Sequence, residues 1–124
     1  FLQSHPKAAW VNYAGLADHP DHALVQKYMG GRASGIINFG VKSADGDGKS
    51  AGARFQDALK LVTRLVNIGD CKSLACHPAS TTHRQLSADE LAKAGVSADM
   101  VRLSIGIEHI DDILADLDQA LAAV

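Results

Sequence analysis

The sequence lacks most of the features that mark secreted, membrane or nucleic-acid-binding proteins. Two cysteines, Cys71 and Cys76, in 124 residues cannot build a disulfide framework, so reduced thiols in a cytoplasmic protein are expected. No apolar run approaches the length of a membrane span, and residues 1–20 lack the basic start and apolar block of a signal peptide. A formal net charge of −2 does not indicate nucleic acid or an anionic membrane as a partner.

What the composition does contain is typical of one globular domain. Hydrophobic residues make up 47% of the chain and charged residues 21%, which argues against disorder. A chain of this length buries roughly two-thirds of its unfolded surface, enough for one core. The chain opens with Phe1 rather than methionine, and we expect either a domain cut from a longer protein or a processed terminus.

Strand and helix patterns alternate four times along the chain. Bulky or β-branched runs between Gly and Pro predict strands over 8–14, 35–41, 73–77 and 101–107. Apolar residues at helical spacing predict helices over 21–29, 55–66, 87–95 and 110–124. Ser87 and Glu90 predict a capping box, and the Gly- and Asp-rich segment 43–53 predicts a mobile surface loop. The expected fold is α/β (α+β), a small four-stranded sheet with helices packed on it.

Residues 73–87, SLACHPASTTHRQLS, suggest three kinds of site: a metal site, a cysteine nucleophile with a histidine base, or a loop that holds a small polar ligand. Zinc is not favoured, because Cys71, Cys76, His77 and His83 match no common ligand spacing. A nucleophilic Cys76 is not favoured, because an apolar strand lowers thiol reactivity. A ligand-holding loop remains open beside the simpler alternative that its hydroxyls satisfy the loop's own backbone.

The last predicted strand carries the most promising binding residue. Its side chains alternate between two faces, and the polar face holds Arg102, Ser104, Gly106 and Glu108. Pattern alone favours an arginine on the wet side of a half-exposed sheet. The alternative is a rigidly mounted guanidinium at a cleft, ready to bind a carboxylate or phosphate. Gly106 would let a ligand or another stretch of backbone approach, and Asn67 by pattern only ends a helix.

Two blocks of the sequence resemble a known enzyme family. SLACHPASTTHRQLS (73–87) and GVSADMVRLSIGIEHIDDILADLDQAL (95–121) are similar to the C-terminal end of Cys/Met-metabolism pyridoxal-phosphate enzymes. HPKAAWVNYAGL (5–16) and GGRASGIINFGVK (30–42) extend the resemblance over nearly the whole chain. It implies that residues 1–124 are the C-terminal substrate-binding domain of a fold-type I enzyme, with the cofactor-binding domain absent from this chain. Ala14 departs from the family, whose members often have proline there.

The segment VNIGDCKSL (66–74) indicates one branch of the family. Synthases and lyases usually have Ser-Leu before the glycine, whereas the form with Asn67 is similar to O-acetylhomoserine sulfhydrylases. The resemblance implies a parent enzyme of methionine biosynthesis that converts O-acetyl-L-homoserine and sulfide to L-homocysteine and acetate. The alternatives are cystathionine γ-synthase or methionine γ-lyase activity, or a stand-alone small-molecule-binding α/β module.

The resemblance also assigns roles to particular residues. Arg102 matches the arginine that pairs with the substrate α-carboxylate, and Asn67 and Thr82 match positions close to that carboxylate. No lysine of the chain has the Ser-x-Thr-Lys-like context of the family's Schiff-base lysine. We therefore expect no catalytic residue, no metal site and no covalently bound pyridoxal phosphate in this chain, which should be inactive alone. The full-length enzyme is expected to be a homotetramer, and the isolated chain could self-associate through apolar surface.

Overall fold

One mixed five-stranded sheet organises the computed structural model, which describes residues 1–124. The strands are β1 (Ala8–Asn12), β2 (Ile36–Val41), β3 (Thr63–Arg64), β4 (Leu74–Cys76) and β5 (Met100–Ser104). The helices are α1 (His22–Met29), α2 (Gly48–Ala58), α3 (Ala88–Lys93) and α4 (Ile110–Ala122). Short 3₁₀ turns lie at Leu2–Ser4 and Pro78–Ser80.

The strand order across the sheet is β1-β2-β5-β4-β3. Neighbouring strands are antiparallel, except that β3 runs parallel to β4. The register of β1 against β2 is irregular between Ala8 and Trp10. The predicted α/β class is confirmed, but the sheet has five strands instead of the four predicted, because the two-residue strand β3 lies inside a segment that was predicted to be helical.

The main apolar core covers one face of the sheet, which we call the core face. Strands β2 and β5 contribute Phe39, Val101 and Leu103, none of which is exposed. Helices α2 and α4 pack over them, and the rings of Phe39 and Phe55 meet edge to face with centroids 5.4 Å apart. Fully burying one such side chain stabilises the fold by about 1.5–3 kcal/mol, so this face supplies most of the hydrophobic stabilisation.

The opposite face, which we call the site face, is more polar. Residues directly opposite each other on antiparallel strands point to the same side. The register therefore places one row of side chains across four strands on this face: Asn12, Asn38, Arg102 and Cys76. Helix α3 covers one end of the site face through a small cluster that contains Leu91, Val96 and Met100.

The structure corrects the predicted loop over 43–53. Helix α2 begins inside that segment, at Gly48. The side chain of Asp47 caps it by accepting the N–H of Ser50 at 3.0 Å. Aspartate is a favoured N-cap residue, but the glycines on either side of Asp47 led to the prediction of a loop.

The predicted helix over 55–66 is wrong beyond Ala58, where α2 ends. The carboxylate of Asp116, on α4, accepts the backbone N–H groups that a continued helix would use internally. These belong to Lys60, Leu61 and Val62, at 2.9, 2.9 and 2.8 Å. The Gln119 amide donates to the Ala58 carbonyl at 2.8 Å. Burial by itself would raise the pKa of Asp116, but these backbone amides and Gln119 hold it below its ordinary value.

The remaining elements agree with the predictions to within a few residues. The capping box of α3 is confirmed: Glu90 accepts the Ser87 N–H at 2.8 Å, and the Ser87 hydroxyl accepts the Glu90 N–H at 3.4 Å. These bonds lower the pKa of Glu90. No helix is both long enough and apolar enough to cross a membrane.

Candidate functional site

Arg102 lies at the centre of the site face. It occupies the middle of β5, between Asn38 on β2 and Cys76 on β4, and its side chain is only partly buried. Its Nη2 donates a hydrogen bond to the backbone carbonyl of Val66. The guanidinium thus points away from the main core. Because β5 is the central strand of the sheet, the backbone that carries Arg102 is rigidly held.

The connection from β3 to β4, residues 65–73, lies across this face and is called here the site loop. Asn67 belongs to it and is exposed, directly after the residue whose carbonyl Arg102 binds. Two residues further along, the Gly69 N–H donates to the Ser104 hydroxyl at 3.1 Å. Arg102 and the loop that carries Asn67 are therefore brought together. The pattern-based role of Asn67 at a helix end is wrong, because α2 ends at Ala58.

The base of the site loop, at Ser73, is held by Gly106 and Glu108, the two residues of the predicted polar face that follow β5. The Ser73 N–H and hydroxyl donate to the two carboxylate oxygens of Glu108 at 2.6 and 2.8 Å, and the Gly106 N–H donates to the Ser73 hydroxyl at 2.9 Å. A side chain at position 106 would overlap the backbone of Cys71 and Lys72. The sequence analysis predicted that either a ligand or another stretch of backbone approaches Gly106, and in the structure a stretch of backbone does so.

Glu108 is held as a carboxylate by this arrangement. Its partial burial acts to raise its pKa, but the N–H and hydroxyl of Ser73 outweigh that effect and leave the pKa below the ordinary value. An ionised acceptor makes stronger hydrogen bonds than a neutral one. The base of the site loop is therefore firmly fixed.

Thr82 lies in the polar turn after β4, at one side of the Arg102 row. Its side chain is exposed, and its hydroxyl forms a 2.8 Å hydrogen bond with Nδ1 of His83. No hydrogen bond joins it to Arg102 or Asn67. The preceding residue, Thr81, donates to the His77 carbonyl at 2.8 Å, and its hydroxyl lies 3.5 Å from the Cys76 sulfur.

His77 has a structural role at this turn. Its ring is fully buried, and burial lowers its pKa despite an opposing effect of the Ala98 carbonyl. Nε2 lies 2.8 Å from that carbonyl oxygen and Nδ1 lies 2.7 Å from the Ser80 hydroxyl. A carbonyl can only accept, so Nε2 carries the proton and Nδ1 accepts from Ser80. Neither nitrogen is free to act as a base for Cys76.

No lysine lines the cleft beside the site loop. A cleft of about 200 Å³ lies between the site loop and the turn after β4, lined by Gln56, Arg64, Leu65, Val66, Ala75, Cys76 and Thr81. Six of the seven lysines are exposed, and Lys7 binds the Val124 carbonyl. The residues that line this cleft therefore offer no amine for covalent attachment of pyridoxal phosphate. No group of three or more His, Cys, Asp or Glu side chains that could hold a metal ion is present.

Comparison with known proteins identifies the family. The family model described as Cys/Met metabolism PLP-dependent enzyme matches residues 1–122. Over 122 residues the chain is 51% identical to O-acetyl-L-homoserine sulfhydrylase 1 of Thermus thermophilus, covering 98% of this chain and 28% of the relative. Over 121 residues it is 45% identical to homocysteine synthase of Schizosaccharomyces pombe, covering 98% of this chain and 27% of the relative.

Solved structures give the same result. An O-acetylhomoserine (thiol)-lyase of Campylobacter jejuni, which contains N′-pyridoxyl-lysine-5′-monophosphate, superposes with a TM-score of 0.84 at 44% identity, covering 98% of this chain and 28% of that one. A cystathionine γ-lyase of Micromonospora echinospora superposes with a TM-score of 0.82 at 36% identity, covering 99% of this chain and 31% of that one.

The fold and these matches place the chain in a class of pyridoxal-phosphate-dependent enzymes. It belongs to the Cys/Met metabolism family of these enzymes. The chain spans less than a third of the length of the curated relatives it matches.

Sequence reasoning missed the residues that hold the site together. Ser104 could have been singled out, because it lies two residues after Arg102 on the same face of the strand. Its partner, Gly69, could not have been named, because the two residues are 35 positions apart in the chain. His77 was considered only as a base or a ligand, and nothing in the sequence shows that its ring is buried.

Proposed function

We propose that residues 1–124 form the substrate-binding domain of an O-acetylhomoserine sulfhydrylase. The whole enzyme would convert O-acetyl-L-homoserine and sulfide to L-homocysteine and acetate. The observation that carries this proposal is an arginine on a central strand, beside the loop that presents Asn67. The names of relatives at 45% and 51% identity, a homocysteine synthase and an O-acetyl-L-homoserine sulfhydrylase, support the choice of substrate.

In this proposal Arg102 binds the α-carboxylate of the amino-acid substrate. A guanidinium has five N–H donors, and Arg102 uses one of them, on Nη2, to bind the Val66 carbonyl. The remaining donors are free to pair with a carboxylate, and the bond to Val66 holds the guanidinium plane in one orientation beforehand. Asn67 would donate a further hydrogen bond to the same carboxylate, and Thr82 would form part of the pocket wall.

The contribution of this chain to the reaction is orientation. Binding the carboxylate at one fixed point leaves the other bonds of the substrate's Cα in a defined direction, and such positioning can supply a large part of a rate enhancement. Pyridoxal phosphate, when bound, provides an electron sink for carbanions. We assign no proton transfer to this chain, because His77 uses both of its ring nitrogens in structural hydrogen bonds.

Assays of the full-length protein test the substrate. We expect homocysteine from O-acetylhomoserine and sulfide, with much weaker activity toward O-succinylhomoserine with cysteine and toward methionine. The structural similarity to a cystathionine γ-lyase makes a cystathionine-handling activity the second candidate. Higher turnover of O-succinylhomoserine with cysteine would favour cystathionine γ-synthase, and higher turnover of methionine would favour methionine γ-lyase. Failure of all three, with no binding of amino acids, would favour a stand-alone binding module.

We further propose that the 124-residue chain is inactive alone and that the whole enzyme is a cytoplasmic homotetramer. The position of the lysines supports the first point, and visible absorbance from lysine-bound pyridoxal phosphate in the purified chain would contradict it. The family resemblance supports the second, which light scattering of the full-length protein can test. Exposed apolar residues in and before the site loop, among them Leu61, Leu65 and Ile68, favour self-association of the isolated chain.

A further inference from the structure

We propose that Ser104 is a positioning residue for the substrate carboxylate: it does not contact the substrate but holds the loop that carries Asn67. This inference rests on the proposed function of the site. Ser104 ends β5, only 3% of its surface is exposed, and its hydroxyl oxygen accepts the N–H of Gly69 at 3.1 Å. Nothing in the proposed chemistry uses its hydroxyl directly.

The site loop is attached to β5 at two points, one on each side of Asn67. Arg102 binds the Val66 carbonyl before it, and Ser104 binds the Gly69 amide after it. Arg102 and Ser104 are two residues apart on one face of a strand, which separates their Cα atoms by about 7 Å. The four residues 66–69 are therefore held along the strand, and Asn67 directly follows the carbonyl that the guanidinium binds.

The two attachments differ in what the substrate does to them. Arg102 contacts the substrate carboxylate through its remaining donors, so its bond to Val66 belongs to a residue that also binds substrate. Ser104 is buried and its hydroxyl holds only the loop. Gly69 has a left-handed backbone, with φ of 73°, a conformation that favours glycine, and this turn aims its N–H at the hydroxyl. The Ser104 bond is thus the attachment that keeps Asn67 in place when Arg102 binds its ligand.

Ser73 offers a matched comparison within the same loop. It too is a buried serine, and its hydroxyl binds Glu108 and the Gly106 amide. Its attachment lies at the base of the loop, next to β4, six residues after Asn67. Removing either hydroxyl deletes a buried hydrogen bond, but only the loss at Ser104 releases the segment that carries Asn67.

The test uses the full-length, pyridoxal-phosphate-loaded protein and steady-state kinetics with O-acetylhomoserine and sulfide. Ser104→Ala should raise KM for O-acetylhomoserine about 5- to 50-fold, the range expected for one or two lost hydrogen bonds, with kcat changed much less. Ser73→Ala should leave KM within about 2-fold, and cofactor absorbance should be unchanged in both variants. Because Ser104 acts through Asn67, adding Ser104→Ala to Asn67→Ala should raise KM no further.

Ser104→Cys keeps the shape of the side chain, is slightly larger and is a weaker acceptor. It provides a second measurement if Ser104→Ala lowers the yield, and its KM should rise by a smaller factor. An unchanged KM in the Ser104 variants, or effects of Ser104→Ala and Asn67→Ala that multiply, would overturn the inference. An equal rise in KM for Ser73→Ala would also overturn it. If Asn67→Ala leaves KM unchanged, the proposed role of Asn67 in the site fails, and this inference fails with it. If Asn67→Ala raises KM but Ser104→Ala does not, only this inference fails.

Discussion

The two faces of the sheet are built by different means. The core face is held by contact between apolar side chains of the strands, α2 and α4. The site face is held by single hydrogen bonds, two between side chains of β5 and the backbone of the site loop and one from the Gly106 N–H to the Ser73 hydroxyl. Apolar contact is non-directional, whereas a hydrogen bond requires a particular distance and angle. Substitutions on the two faces should therefore affect different properties, stability on one and activity on the other.

The largest effect is expected for Arg102→Lys in the full-length enzyme. A lysine cannot bind a carboxylate with two parallel N–H bonds while also holding the Val66 carbonyl. Loss of one partner of a hydrogen-bonded charge pair costs about 2–5 kcal/mol, so kcat/KM for O-acetylhomoserine should fall about 100- to 1000-fold with little loss of stability. Arg54→Lys is the control, since Arg54 is exposed on α2 and does not line the cleft. Equal loss in both variants would contradict the site.

On the other side of the sheet, Asp116→Ala should cost about 3 kcal/mol of unfolding free energy. It removes the acceptor of three backbone amides, one of them buried, and each unsatisfied buried group costs about 1–3 kcal/mol. Urea denaturation of the chain measures this loss. Asp112→Ala, exposed on the same helix, should cost at most about 1 kcal/mol through the helix dipole. Similar losses in the two variants would show that the Asp116 carboxylate does not hold residues 60–62.

Gly52→Ala tests the packing between α2 and the turn after β4. In an ordinary helix interior this change stabilises by about 1 kcal/mol. Here the added methyl group would overlap the buried His77 ring, so a net destabilisation of about 1–2 kcal/mol is expected from overpacking. Thermal unfolding gives the sign directly, and a raised midpoint would show that the ring can move. Ala53→Gly, the reverse change at the neighbouring position, should destabilise by propensity alone.

The smallest effect is a pH dependence that arises from His77. Its folded-state pKa lies below the ordinary 6.5, so in the window between the two values the unfolded state binds a proton that the folded state does not. Stability is then unaffected above about pH 7 and falls as the pH drops through 6.5, by at most about 1.4 kcal/mol per pH unit. Urea denaturation at several pH values measures the slope. His77→Gln should flatten it, whereas His83→Gln should not.

Several elements were predictable from the sequence because their information is local. The apolar stripe of α4, the capping box of α3 and the alternation in β5 each lie within one short segment. The end of α2 and the strand β3 were not predictable, because the acceptor that stops the helix is Asp116, 54–56 residues further along the chain. A window around residues 55–66 contains no sign of that carboxylate.

The site face was predictable only in part. Alternation along 101–107 placed Arg102 on the polar side, whereas Asn67 and Thr82 were named through resemblance to a family. The contacts that bring Asn67 to Arg102 come from a loop whose path depends on β3, which was itself unpredicted. Thr82 remains a prediction, because its hydroxyl bonds only to its neighbour His83.

The two outer strands of the sheet limit how copies of this domain can associate. An exposed strand edge normally offers its backbone to another chain. On one side the edge strand, β3, is only two residues long and includes a charged arginine. On the other side, the irregular register in β1 interrupts the regular pattern of donors and acceptors. Growth of the sheet into a continuous intermolecular ribbon is therefore disfavoured, and any association between copies would use side chains on the exposed loops.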